Sequence, residues 1–304
     1  MSTPFETPIM AEERLAGEFS AARPRLIRIA YAVVGTHAEA EDVVSDCWLR
    51  LVRANAQTRI EDVGAWTTVA VARHALDSLR SARVRREMYV GPWLPEPTVH
   101  TTSQAPQDPA DRVTLDESVS FALLVVMETL SPAQRTAWVL HDLFSMPFQD
   151  VATVVGRTPA AVRQLAARAR KQVAAGIPHI DIDVSSHRAV VEAFQAAAIS
   201  GNVDALLTIL DPQVVLTSDG GGVVSAARRP VSGADKVSRF IVGLRNKVTQ
   251  LDIRIMDING LPGLVMLHAG NVTAVVSLSV SASTISRIDI LVAPTKLANV
   301  HVDA

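Results

Sequence analysis

Between Arg157 and Lys171 the chain carries Arg157, Arg163, Arg168, Arg170 and Lys171 with no acidic residue among them. Wound as a helix from Ala160, this stretch puts Val162, Leu165, Ala166, Ala169 and Val173 on one face. Arg163, Gln164, Ala167, Arg168, Arg170 and Lys171 then fall on the other. An apolar face of this kind docks, and the basic face stays free to do chemistry. Guanidinium forks match guanine edges and phosphates, a glutamine amide matches adenine, and cations further along a helix hold the DNA backbone. A second stripe, Arg73, Arg80, Arg83, Arg85 and Arg86, faces a single acid, Asp77. Two basic helical stripes on one chain suit two contact points along one duplex.

The elements that must position these residues are legible in the same residues. Phe148–Gly156 reads as a short helix, Arg157-Thr158-Pro159 as a turn, Thr158 as an N-cap and Pro159 as the first helical residue. The result is a helix-turn-helix. Residues 12–86 read as helices: one over 23–33 stopped by Gly35, one over 38–52, and a third from Val63 to Arg86. Residues 87–110 hold five of the sixteen prolines, a composition that predicts a non-helical linker. Fully extended, such a segment spans roughly 80 Å, enough to let the modules on either side sit far apart on a common partner. Helical periodicity resumes from Leu115 to Leu130, and Ser131-Pro132 caps a further helix to about Phe144. After residue 184 come helices at 187–200, 203–210 and 234–247, a strand at 214–218, and four Val/Ile/Leu-rich runs at 251–258, 263–269, 272–280 and 285–292. Asn-Gly, Gly-Asn and Ser/Thr turn signals between those runs predict antiparallel hairpins, hence an α+β domain with helices on one curved sheet.

Composition excludes several classes. At 304 residues with 48% hydrophobic and 20% charged residues, the chain is long enough for two or three folded domains. Its one cysteine, Cys47, forms no internal disulfide or zinc cluster and is expected to pack, which points to a reducing, cytoplasmic setting. No export signal or apolar run of spanning length is visible, so no membrane role is expected. Net charge is −2, yet 18 of the 25 arginines precede residue 177, so the nucleic-acid signal lies in the distribution. No Walker loop, HExxH or nucleophile elbow occurs, and neither a cofactor nor a metal is expected.

These residues resemble the extracytoplasmic-function sigma factors, promoter-recognition subunits of RNA polymerase. AEDVVSDCWLR (40–50) resembles the region 2 helix that grips the polymerase β′ coiled coil, which implies polymerase contacts at Asp42, Ser45, Asp46, Trp48, Leu49 and Arg50. AWTTVAVARHALDSLR (65–80) resembles the helix facing the −10 element, implying Asn55, Trp66, Arg73, His74, Asp77, Arg80 and Arg83 as DNA contacts. Residues 129–152 and the helix behind them resemble region 4, reader of the −35 element and partner of the β flap. That resemblance implies Arg157, Thr158, Arg163, Gln164, Arg168, Arg170 and Lys171 as its DNA contacts. The family often has glutamine at Ser45 and asparagine at His74. The domains implied are region 2 over 12–86, a proline-rich linker over 87–113, region 4 over 114–176 and a C-terminal domain over 184–300.

WLPEP (93–97) and DGGG (219–222) resemble the subgroup with a fused C-terminal SnoaL-like domain, in which these motifs join the extension to the sigma core. The resemblance implies an interdomain regulatory set: Trp93, Leu94, Pro95, Glu96, Pro97, Asp219, Gly220, Gly221, Gly222 and Lys296. Val223 stands where that subgroup has lysine, and APTKL (293–297) approximates its Asn-Pro-Asp-Lys-Leu. The implied function is core-polymerase binding and promoter-specific initiation, regulated in cis without a required separate anti-sigma factor. The alternatives are a helix-turn-helix regulator with a small-ligand-sensing domain, or a SnoaL-type enzyme tethered to DNA. The tyrosines, Tyr31 and Tyr89, both precede the C-terminal domain, so no tyrosine donor is expected there and the domain reads as non-catalytic. Asp219, Asp257, Asp289 and His268 read as turn residues, solvated strand positions or a hydrogen-bonded histidine. An apolar pocket for a small ligand is a further expectation of such folds.

Overall fold

The computed structural model describes residues 8–100, 119–176, 183–245, 251–300 and 302; the expectations for residues 101–118 lie outside the described residues. The chain forms two compact units, one of residues up to Val84 with Leu130–Gln172, the other of Arg85–Thr129 with residues from Val173 onward.

In the first unit, α1 (Pro8–Val34) packs along α2 (His37–Gln57), with α3 (Val63–Glu87) after it. Gly35 ends α1 with φ +85°, a left-handed conformation that glycine adopts without steric cost. α1 begins well before residue 23 and passes through Pro24, because Leu15 and Phe19 are buried and Phe19 packs on Trp48 with ring centroids 5.3 Å apart. That tertiary packing overrides a proline cost of about 3 kcal/mol. Asp62 caps α3 by accepting from the Ala65 N–H at 2.7 Å. The unit continues with α5 (Pro132–Trp138), opened by a Ser131/Gln134 capping box, then a π-helical turn (Val139–Leu143) and α6 (Phe148–Val155). Gly156 follows at φ +69°, and α7 (Pro159–Gly176) starts behind Thr158, whose hydroxyl accepts from the Ala161 N–H at 3.3 Å. The helix-turn-helix is therefore built as its residues dictate.

In the second unit, β1 (Val99–His100), β2 (Leu210–Asp219), β3 (Val231–Ser232), β4 (Asp252–Ile258), β5 (Leu261–His268), β6 (Asn271–Ser281) and β7 (Thr284–Leu291) form one open sheet. Its order is β1-β4-β5-β6-β7-β2-β3, antiparallel except for the β2/β7 pair. Asn259-Gly260, Ala269-Gly270 and Ala282-Ser283 all have positive φ at both turn residues, the geometry of tight two-residue hairpins. Two cores use alternate residues of the same strands. Leu264, Val276, Leu278 and Ile288 pack against α8 (Val184–Ser200), α9 (Val203–Ile209) and α10 (Ala234–Arg245). Val265, Leu267, Val275 and Leu291 pack instead with Leu94, with Phe121 and Val125 of α4 (Phe121–Met127), and with Leu297 of α11 (Pro294–Leu297). Period-2 alternation thus buries both faces, which is why these strands read as continuous apolar runs. His187, fully buried on α8, donates to the Leu278 carbonyl at 3.0 Å, and burial pushes its pKa down.

The helices on one face match the sequence reading; the cover on the other face does not follow from it. Residues 88–100, expected to be linker, lie in this unit, with Leu94, Pro95, Glu96 and Pro97 buried and Val99–His100 paired to β4. Likewise α4, expected within a self-contained 114–176 module, contributes Phe121 and Val125 to the sheet's second core. Both departures arise from contacts 100 or more residues away in sequence. A chain ending at residue 176 would uncover Leu94, Phe121 and Val125. It is expected to unfold at lower temperature and aggregate more than the full chain in thermal scans with light scattering; equal stability would show that this cover is dispensable.

Candidate functional site

The basic face of α7 is open. Arg157, Thr158, Arg163, Gln164, Arg168, Arg170 and Lys171 are exposed, while Val162, Ala166, Ala169 and Val173 are buried and Leu165 is half-buried. The Arg163 guanidinium lies 5.4 Å from the Phe148 ring centroid, and Arg170 donates through Nε and Nη2 to Oδ1 of Asp142 at 2.9 and 2.5 Å.

On α3, Arg73, Asp77, Arg80 and Arg83 are exposed, and Trp66 and His74 are half-buried. Arg80 pairs with Asp77 at 3.0 Å. Arg73 donates to the Thr153 carbonyl of α6 at 2.8 and 3.2 Å, and Arg83 donates to the Leu130 carbonyl at 3.0 Å. Asn55 lies apart from this stripe, on α2, where it accepts from the Ile60 N–H at 2.9 Å. Its place in the structure is a turn-stabilising one. Buried Arg135 of α5 donates through Nε to the Ala32 carbonyl in the last turn of α1, where the helix dipole favours a cation.

On α2, Asp42, Ser45, Asp46, Leu49 and Arg50 are exposed and Trp48 is half-buried. Leu49 exposes 54% of its surface between charged neighbours, a pattern that suits a protein contact. Asp46 also lies 3.7 Å from His74 Nε2, so the two helices' predicted sites adjoin. Cys47 packs inward, and burial pushes its thiol up to about 11, leaving it unreactive at neutral pH.

In the second unit, Leu94, Gly221 and Lys296 of the expected regulatory set converge on one carboxylate. Asp219, at the end of β2, is fully buried. Its Oδ1 accepts from the Tyr89 hydroxyl at 2.6 Å and the Gly221 N–H at 2.9 Å; its Oδ2 accepts from the Leu94 N–H at 2.8 Å and Lys296 Nζ at 2.7 Å. Lys296 also donates to the Leu94 carbonyl at 2.5 Å and stands 4.0 Å from the Trp93 ring centroid. Burial lowers the Lys296 pKa to about 8 against the pull of Asp219. Burial and the bond to Asp219 together raise that of Tyr89. Arg86 lies 3.5 Å from the same Trp93 centroid and pairs with Glu128 at 2.6 Å. Gly220 and Gly221 are required by space: a Cβ on Gly220 would stand 2.2 Å from the Val224 carbonyl oxygen, and one on Gly221 would stand 3.2 Å from Ala293 Cβ at φ +70°.

Two expectations are corrected here. A tyrosine donor does serve the C-terminal domain, because Tyr89 arrives from the segment before WLPEP. Asp289 is no solvated strand position: it is buried and held by Arg287 at 2.7 and 2.9 Å, with burial raising its pKa. Asp257 accepts from the Gly260 N–H at 2.8 Å, a turn role, and His268 is exposed. Tyr89, Arg86 and Glu128 were absent from the expected regulatory set, since no local pattern links them to a carboxylate 130 residues away from Tyr89.

Comparison with known proteins agrees with the helical modules. Residues 19–85 match the sigma-70 region 2 family and residues 120–173 match sigma-70 region 4. The ECF RNA polymerase sigma factor SigJ of Mycobacterium tuberculosis is 47% identical over 228 residues, 75% of this chain and 72% of that protein. The probable ECF RNA polymerase sigma factor SigI of the same species is 35% identical over 287 residues, covering 93% and 94%. The crystal structure of M. tuberculosis SigJ superposes with a TM-score of 0.73 at 35% identity, covering 93% of this chain and 98% of that one. The curved α+β domain expected after the helices is thus present, as an open SnoaL-like sheet. No described helix is long and apolar enough to cross a membrane.

Replacing Asp219 by Asn leaves the Lys296 cation buried opposite an amide. It is expected to destabilise the second unit by about 3–5 kcal/mol in urea unfolding. Gly220→Ala, which drives a Cβ into backbone, is expected to cost more than Gly222→Ala, where the nearest neighbour is a Val90 side chain at 3.6 Å. Equal costs at the two glycines would contradict the close-approach account.

Proposed function

Because this chain belongs to the ECF RNA polymerase sigma factors, we propose that it binds core RNA polymerase and directs promoter-specific initiation with α7 at the −35 element and α3 at the −10 element. The observation that carries this assignment is the division of α7: every cation and Gln164 exposed, Val162, Ala166, Ala169 and Val173 buried and Leu165 half-buried. Arg163 and Gln164, in the first two turns, reach base edges, while Arg168, Arg170 and Lys171 hold phosphates. Arg157 and Thr158 at the turn add backbone contacts near the helix N-terminus. Arg73 and Arg83 exchange the Thr153 and Leu130 carbonyls for DNA, and Arg80 with His74 and Trp66 completes the −10 surface. Asp42, Ser45, Asp46, Leu49 and Arg50 supply the polymerase contact on α2, toward the β′ coiled coil, and region 4 meets the β flap. The domain boundaries we assign are region 2 over 12–86, region 4 over 114–176 and the SnoaL-like domain over 184–300.

The Asp219 cluster is the regulatory part of this reading and acts in cis, within the cytoplasm and without a required anti-sigma factor. Both its oxygens are committed to donors, which supports a structural role over acid-base catalysis. Trp93, held beside two cations, and the glycine turn transmit the state of the SnoaL-like domain to the residues that follow α3.

With promoters recovered from a randomised pool by the full chain on core polymerase, Arg163→Ala is expected to change −35 preference by about 1–3 kcal/mol per base contact, read from run-off transcription. Unaltered promoter choice would remove α7 from base readout, and DNA binding without initiation would make the chain a free-standing regulator. For regulation, Trp93→Ala and Gly221→Val are expected to shift transcript yield in the same direction, with a double mutant departing from additivity because both act on one cluster. Strict additivity would indicate that the glycine turn and the tryptophan act separately.

A further inference from the structure

Arg170 is the one α7 cation with a carboxylate partner among the described residues, and the form of that partnership carries an inference that rests on the reading of α7 as DNA-facing. The partner, Asp142, lies in the π-helical turn Val139–Leu143 that separates α5 from α6. Irregular turns of this type are frequent at functional sites. The Asp142 side chain is only 17% exposed, while that of Arg170 is 55% exposed. Both bonds from the guanidinium, through Nε and Nη2, go to Oδ1. The other oxygen, Oδ2, is buried and has no hydrogen-bond partner among the described residues.

Breaking this pair to engage DNA would leave a half-buried carboxylate with neither oxygen served, a cost that a single phosphate contact does not offset. The pair therefore stays made when DNA arrives. A guanidinium carries five N–H groups in a planar fork, of which Asp142 takes two on the Nε/Nη2 edge. The remaining Nη1/Nη2 edge presents a second fork, with the spacing that matches two phosphate oxygens. Arg170 stands seven residues, about 10 Å, beyond Arg163 along α7, where a helix whose first turns enter the major groove meets the backbone. We propose that Asp142 is a positioning residue for promoter binding: it holds Arg170 by one edge so that the opposite edge is offered, already oriented, to a DNA phosphate.

The test uses the full chain on core polymerase and duplexes recovered by the wild-type holoenzyme from a pool randomised over the −35 region. Asp142→Asn and Arg170→Ala are each expected to weaken binding about tenfold, the effect of one charge-assisted contact. The double variant is expected to bind no more weakly than Arg170→Ala alone. The weakening should be uniform across −35 sequences, leaving their rank order intact, since phosphates carry no base identity. Arg170→Lys, which keeps the charge without the fork, is expected to bind about as weakly as Arg170→Ala and serves as the readout should Asp142→Asn fail to fold. Tighter binding by Asp142→Asn, or equal losses with Arg170 present and absent, would overturn the proposal; so would a reordered −35 preference or wild-type binding by Arg170→Lys. In the same assay Arg163→Ala reports on the underlying reading. If it leaves base preference unchanged, the DNA-facing assignment fails; if it alters preference while residues 142 and 170 show no coupling, the positioning role alone fails.

Discussion

A single buried carboxylate organises the second unit. Asp219 has no access to water, and a charge in that position is tolerable only when its lone pairs are filled. The donors that fill them come from Tyr89, Leu94, Gly221 and Lys296, spread over more than 200 residues of chain. Together they tie three segments to the end of β2: the stretch after α3, through Tyr89 and Leu94, the glycine turn and the short C-terminal helix. The charge of Lys296 is balanced by Asp219 and by the Trp93 ring, and Trp93 in turn lies beside Arg86, which Glu128 neutralises. Alternating charge and ring contacts of this kind make the cluster a coupled network, in which losing one member leaves another buried without its partner.

The network explains why the sheet is covered on both faces. Once Leu94 is pinned by its own N–H and carbonyl to Asp219 and Lys296, its side chain must enter the core formed by Val265, Val275 and Leu291. Phe121 and Val125 complete that core from α4, at the start of the region 4 match in sequence. The extension is consequently no appendage. Segments that precede the C-terminal domain in sequence supply Leu94, Phe121 and Val125 to its second core.

Local chemistry made much of this legible in the sequence. Gly156, Thr158 and Pro159 state the helix-turn-helix in three consecutive signals, and the paired turn residues between β4 and β7 state the hairpins. The division of α7 into docking and basic faces follows from a 3.6-residue period alone. What was not legible depends on distant partners. Tyr89 has no neighbour in sequence that marks it as the Asp219 donor, the proline-rich composition of 92–97 describes stiffness and says nothing of burial, and α1 continues through Pro24 only because Leu15 and Phe19 find cover. Arg73 and Arg83 have backbone carbonyls as partners, and carbonyls leave no trace in residue types. The π-turn at 139–143 is similarly silent, since it is a matter of hydrogen-bond register.

The bond between Lys296 and the Leu94 carbonyl closes a loop of 202 residues. Synthesis proceeds from the N-terminus at about 5–20 residues per second, so Leu94 leaves the ribosome roughly 10–40 s before the lysine that completes its environment. During that interval α3 and α7 are made, while Leu94, Phe121 and Val125 have no complete sheet to cover. A nascent chain therefore passes through a stage at which its helical modules exist without the C-terminal sheet and with apolar side chains in water.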